Sequence, residues 1–323
     1  MAERLELHTS DMEMLAQKFN NWGRWGDDDE AGTLNLVTPE RVAAAAALVT
    51  RGVSFSMAIP FDKDGPQNGL GGRTNPMHVM VSDGGDIATG AFDDNAVVPG
   101  LHWTDDYVIM GLQTATQWDA LSHVFYKDKM YNGYGLRHVS SSGATKNSIA
   151  TLKNRFAGRG VLLDMARYHG VDWLDDGYLI DGDELEACAE RQGVEVGPGD
   201  FVCIRTGALT RVKARGSWGS FAQGEPAPGL ALSAANFLCA RDVAAIAADN
   251  YCVEAIPQET ADFWCPLHVV LLVNAGIHMG EMWNLDDLAA DCAEDKSYEF
   301  MLVAQPLPVT GAVGSPVNPI AFK

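Results

Sequence analysis

Three observations predict a mixed α/β domain. A short apolar run at 160–164, a helix-forming stretch at 184–192 and a second apolar run at 201–205 follow one another, the last entered through the turn Gly197-Pro198-Gly199-Asp200. Strand, helix, turn and strand at this spacing belong to mixed α/β architecture. With 323 residues, 47% of them hydrophobic, the chain can bury a full core. No internal repeat or low-complexity linker divides it. Residues 1–323 therefore read as one domain, with an N-terminal arm over about 1–50 and a Pro- and Gly-rich tail over about 303–323 that wraps the rest.

The elements follow in order. Residues 11–20 form a short helix capped by Ser10 or Asp11, before two Trp-Gly pairs at Trp22 and Trp25. Those indoles either lay an arm over a ligand or neighbouring subunit, or anchor the segment to its own core. Thr38-Pro39-Glu40 opens a helix, with Thr as N-cap and Pro in the first turn, that runs through an Ala-rich stretch to Gly52. Residues 53–59 and 77–81 read as strands. The glycines between them fit no phosphate-loop pattern, which leaves nucleotide binding unsupported. Residues 83–99 are a turn-rich acidic loop, and 107–112, β-branched and apolar, reads as a buried strand. Asp183 is positioned to cap the helix at 184–192, which Gly193 ends. A helix at 233–241 leads to a strand at 243–248. Asp249-Asn250 then sits at a strand end, where functional side chains gather in α/β folds.

Polar groups concentrate at Gln113-Thr-Ala-Thr-Gln117-Trp-Asp119-Ala-Leu-Ser-His123. A helix would split this set over two faces. An extended chain through Asp119 would point Gln113, Gln117 and Asp119 to one side, and a helix at 120–125 would then bring His123 to join them. Asp and His are ordinary ligands for zinc or manganese, and a Gln amide oxygen is a weaker neutral donor. The alternative is a loop in which the Gln residues and Ser122 bond to backbone and His123 belongs to the core. A second stretch offers further ligands: a helix from Pro266 places His268 in its first turn and ends at Gly276, and a strand at 277–282 carries Glu281.

Composition narrows the function classes. The chain carries 43 acidic against 23 basic residues, a net charge of −20, which argues against nucleic acid or an anionic membrane as a partner. The six cysteines form no Cys-x-x-Cys and no compact framework, a pattern of reduced thiols in a cytoplasm. The N-terminus lacks the blocks of a signal peptide and no apolar run reaches transmembrane length. The expectation is a cytoplasmic protein that acts on a small molecule.

Together the two stretches resemble the metal-dependent hydrolases of the putative cyclase superfamily, whose motif is His-x-Gly-Thr-His-x-Asp-x-x-x-His followed far downstream by a helical His and a strand Glu. Here Gln113, Thr116, Gln117, Asp119 and His123 fall at the motif positions, with Gln replacing both leading His and Ala115 replacing Gly. His268, Gly276-Ile277 and Glu281 match the second part. The Gln-x-x-x-Gln variant is similar to a subgroup that includes a zinc-dependent trans-dienelactone hydrolase. The resemblance implies a swivelling β/β/α fold, a homo-oligomer (dimer or tetramer) and hydrolysis by a metal-activated water. It implies Gln113, Gln117 and Asp119 as one set of metal positions, Asp119, His268 and Glu281 as the other, and His123 as general base. Because two amides bind zinc more weakly than two imidazoles, one divalent ion on Asp119, His268 and Glu281 is expected, zinc first and manganese second. Trp25, Arg73 and Trp118 are candidate substrate contacts, Arg73 for a carboxylate. A lyase or cyclase using the same metal, or a non-catalytic small-molecule-binding homologue, are the competing readings.

Overall fold

The structure is a computed structural model that describes residues 7–91, 100–222 and 224–323. Its centre is a nine-stranded mixed sheet. In chain order the strands are β1 (Ser54–Ser56), β2 (Gln117–Asp119), β3 (Ala157–Asp164), β4 (Phe201–Arg205), β5 (Ala245–Ala248), β6 (His278–Glu281), β7 (Glu299–Val303), β8 (Gly314–Pro316) and β9 (Ile320–Phe322). Across the sheet they lie β1-β9-β7-β3-β4-β5-β6-β2-β8. The middle four, β3 to β6, are parallel, and antiparallel strands continue the sheet on both sides. Parallel neighbours need crossovers, and helices Gly182–Gln192 and Ala234–Ala240 lie in those connections. This is the mixed α/β architecture that the sequence predicts.

Both faces of the sheet are covered, and strand alternation sorts the core. Val161, Leu163, Val202, Ile204 and Ile246 face one apolar layer, packed under helix residues such as Leu185, Leu238 and Leu271. Leu162, Phe201, Cys203, Ala245 and Trp118 face the other, with Phe156, Phe300 and Leu288. Successive side chains leave a strand on opposite sides, so strands buried on both faces read as continuous apolar runs.

From residue 7 on the arm packs on this body, and so does the tail. Helix Thr9–Lys18 buries Met12 and Ala16, and the Trp22 indole donates to the Val273 carbonyl at 2.7 Å. Gly32 and Gly276, both at positive φ, meet so closely that a Cβ on either would strike the other's backbone. The tail supplies β8 and β9.

Several local expectations are corrected. His8, not Ser10 or Asp11, is the first cap, with Asp11 bonding back to its amide. The helix after Thr38 runs Pro39–Ala46 and stops short of Gly52. The strand expected over 53–59 is only Ser54–Ser56. Asp181 rather than Asp183 caps Gly182–Gln192. The loop expected at 83–99 includes a helix, Gly84–Ala88, and its residues 92–99 lie outside the described residues. The 107–112 run is not a buried strand: Asp106–Ile109 pairs with Met77–Met80 in a separate two-stranded ribbon whose residues are all exposed. His78 sits exposed on that ribbon beside Asp106.

Candidate metal centre

β2 is three residues long and paired on both edges, antiparallel to β6 and β8. The register sets Gln117 opposite Glu281, and the Gln117 amide donates to Glu281 Oε2 at 2.5 Å. Alternation puts Gln117 and Asp119 on one side and Trp118 on the other. Trp118 is wholly buried against Trp283, Phe156 and Phe201, its indole donating to the Ala304 carbonyl. It is therefore a core residue and not a substrate contact. No helix follows β2: residues 121–123 form a turn, closed by the His123 amide on the Ala120 carbonyl. The turn still returns His123 Nε2 to 3.6 Å from Asp119 Oδ1.

The third side comes from the helix that Pro266 opens. Glu254, 2% exposed, caps that helix: its carboxylate accepts from the amides of Leu267 and His268, each at 3.0 Å. The same carboxylate takes His268 Nδ1 at 2.6 Å, which turns Nε2 toward Glu281 Oε1, 3.6 Å away. A carboxylate on the far nitrogen fixes the tautomer and ring orientation of a metal-ligating histidine. A π-helix, Val269–Ala275, follows directly, a distortion common at functional sites.

Asp119, His268 and Glu281 thus each bring a ligand atom within 4.8 Å of the other two, all from buried residues. Two tetrahedral ligands each about 2.0–2.2 Å from one ion lie about 3.3–3.6 Å apart, the separation that His268 Nε2 and Glu281 Oε1 already have at 3.6 Å. Both Asp119 oxygens and Gln117 Oε1 are buried without a hydrogen-bond partner among the described residues. Buried oxygens are otherwise almost always bonded, and a divalent cation satisfies all three. Burial, reinforced by Glu281 and opposed by His123 and His268, pushes the Asp119 carboxyl up to about 6. Burial pulls His268 down, but Glu254 and then Glu281 outweigh it and hold the imidazole well above its ordinary value. Excess negative charge that draws protons onto its neighbours is what a cation would neutralise.

Gln113 is not on the strand. It lies in the preceding turn with its amide packed over Gly314 of β8, where a Cβ would come within 2.5 Å. Thr116 of the motif is structural: its hydroxyl donates to Met282 O and accepts from the Ile59 amide. Asp249 and Asn250 are structural too. Asp249 holds the Thr206 and Gly207 amides, and Asn250 ties the loop that carries Glu254. Trp25 lies outside the cleft, its ring against the Arg24 guanidinium. Glu254 escaped the sequence reading because nothing in the spacing links it to a histidine fourteen residues on.

A cleft of about 260 Å³ opens onto His123, His268 and Glu281. Phe125, Phe263 and Trp264 supply apolar walls, and Arg73 enters from the loop before the ribbon. The Arg73 guanidinium lies over the Tyr251 ring at 6.0 Å. Burial lowers its pKa, and the Glu281 carboxylate and Tyr251 more than restore it. Among the described residues no helix is long and apolar enough to cross a membrane.

No match is found among curated proteins. A solved structure described as a novel cyclase is 41% identical, with a TM-score of 0.85, covering 95% of this chain and 99% of its own. Isatin hydrolase A from Ralstonia solanacearum is 20% identical with a TM-score of 0.62, covering 88% and 97%. A predicted metal-dependent hydrolase from Bacillus stearothermophilus is 18% identical with a TM-score of 0.52, covering 83% and 97%. The model of the family described as Putative cyclase matches residues 32–255, and the chain belongs to that family.

Proposed function

We propose that this protein is a metal-dependent hydrolase that opens a small cyclic ester or amide, of lactone, lactam or formamide type. The observation that carries the reading is the set of buried, unpartnered oxygens on Asp119 and Gln117, gathered with His268 and Glu281 at the floor of a cleft that also holds His123. Asp119, His268 and Glu281 would hold one divalent ion, zinc before manganese. Gln117 Oε1 is a further donor, and Gln113, packed over Gly314 opposite Asp119, lies on the same face of the sheet. When bound, such an ion lowers the pKa of water from about 15.7 to near 7. His123, a quarter exposed on the cleft wall beside Asp119, accepts the proton from the attacking water and returns it to the leaving oxygen or nitrogen. Glu254 keeps His268 aimed. Arg73 meets a carboxylate or carbonyl oxygen of the substrate, and the aromatic walls exclude bulk water. The hydrolases among the structural relatives support this reaction class. The exposed apolar ribbon supports a homo-oligomer, dimer or tetramer, which sedimentation would measure.

The test is metal content by plasma emission before and after chelation, alongside a lactone and amide panel. About one zinc or manganese per chain, with turnover abolished by chelation and by His268→Ala, is the expected result. His123→Ala should keep its metal and lose about 10²–10⁴-fold in turnover. Full metal and full rate in His268→Ala would overturn the reading. Product lacking solvent oxygen-18 would turn it toward a lyase or cyclase, and absence of both metal and activity toward a binding protein.

A further inference from the structure

Two of the six cysteines, Cys252 and Cys265, are partly exposed in the wall of the same cleft. The two side chains are neighbours: Cys252, with burial behind it, pushes the Cys265 thiol well above its ordinary value. Cys252 Sγ also lies 3.5 Å from the Glu254 carbonyl, and the Gln258 amide reaches Cys265 Sγ at 3.9 Å. The positions in the chain matter as much as the contact. Cys252 lies two residues before Glu254, and Cys265, at φ 51°, is the residue from which the His268 helix starts. The two thiols therefore flank the Glu254–His268 hydrogen bond. Cys203 and Cys292 are also neighbours, but both are sealed in the core.

We propose that Cys252 and Cys265 form a redox modification site: a peroxide oxidises the pair to a disulfide, and the joined loops pull Glu254 and His268 out of register and weaken metal binding. One sulfur attacks the peroxide O–O bond, giving a sulfenic acid and a first water. The second sulfur then attacks it, an S–S bond forms, the S–O bond breaks and a second water leaves. Two thiols and one hydrogen peroxide become one disulfide and two waters. The sulfurs are oxidised and the peroxide oxygens are reduced. The new bond is about 2.05 Å long, shorter than any non-bonded sulfur contact, so both loops must close on one another. Groups that orient a ligand are worth about 10–100-fold in metal affinity when disturbed.

The experiment uses the full chain, reduced or treated with hydrogen peroxide, with zinc affinity read by chelator competition and products by mass spectrometry. The treated chain should lose about 2 Da and yield a linked Cys252–Cys265 peptide. Its zinc affinity should fall by at least about tenfold and return with dithiothreitol. Cys252→Ser and Cys265→Ser should each show no peroxide-dependent change from their own starting affinity. Oxygen addition without the linked peptide overturns the proposal, as does a linked peptide with unchanged zinc affinity. The proposal rests on His268 being a metal ligand. A reduced chain that binds no zinc overturns that reading, whereas a zinc-binding chain that never cross-links overturns this one alone.

Discussion

Two antiparallel strand pairs in this molecule share little beyond their pattern. β2 with β6 is buried throughout and paired on both outer edges. The ribbon of Met77–Met80 with Asp106–Ile109 is exposed throughout and has no further neighbour among the described residues. The ribbon is as rich in methionine and β-branched residues as many core strands, with Val79, Val108 and Ile109 each about half exposed. Side-chain preference for strands did not decide which pair became the core. Position in the sheet did, and only the enclosed pair can hold unpartnered carboxylate oxygens out of water. A metal centre of this kind needs neighbours on every side before it needs ligands.

The contrast can be tested from its largest consequence down. Trp118→Ala should cost about 3–5 kcal/mol in urea unfolding, because the indole is sealed among aromatic rings. A ribbon residue carries no such load. Next, Glu254→Gln should lower zinc affinity by about 10–100-fold in a chelator titration and, because the carboxylate also caps the His268 helix, cost about 1–3 kcal/mol of stability. A purely structural Glu254 would lose the stability and leave the zinc affinity unchanged. On β6, burial pushes His278 down to about 3 from an ordinary 6.5. The unfolded chain gains that proton below about pH 6.5 and the folded chain does not, so stability is complete above 6.5 and falls as pH drops. The loss is up to about 1.4 kcal/mol per pH unit, and His278→Leu should flatten it, as unfolding at pH 8 and pH 5 would show. Smallest of all, Val108→Thr in the ribbon should shift stability by under about 0.5 kcal/mol and leave metal affinity unchanged. A larger loss would mean the ribbon is enclosed in the working assembly.

What the sequence revealed divides along the same line. The positions of His268 and Glu281 were legible because Pro266 starts the helix of the first, Gly276 ends it and the strand that carries the second follows, all within one short stretch. Gln117 and Asp119 sharing a face follows from strand alternation. The same rule turns Trp118 into the core, a consequence the sequence reading did not draw. The 107–112 run was misplaced because propensity reports that a segment fits a pleated surface, and says nothing about whether a sheet edge is open to receive it. The expected helix after Asp119 is a turn, closed by the His123 amide on the Ala120 carbonyl and tied to the Asn147 carbonyl by Ser122. Glu254 could not be seen at all, since its tie to His268 depends on how the loop after β5 is knotted by Asn250.

The sheet position of β8 bears on how the protein is made. β8 pairs with β2 beside Asp119, and β9 closes the opposite part of the sheet between β1 and β7. Both are formed from residues 314–322, which begin 195 positions after Asp119. Chains emerge from the ribosome at about 5–20 residues per second, so a long interval separates synthesis of the ligand-bearing strand from arrival of the segment that walls it in. Until that segment is made, β2 lacks one of its two sheet neighbours. Enclosure of Asp119 is therefore a late event: a nascent chain can carry Asp119, His268 and Glu281 and still lack the strand that closes one side of them.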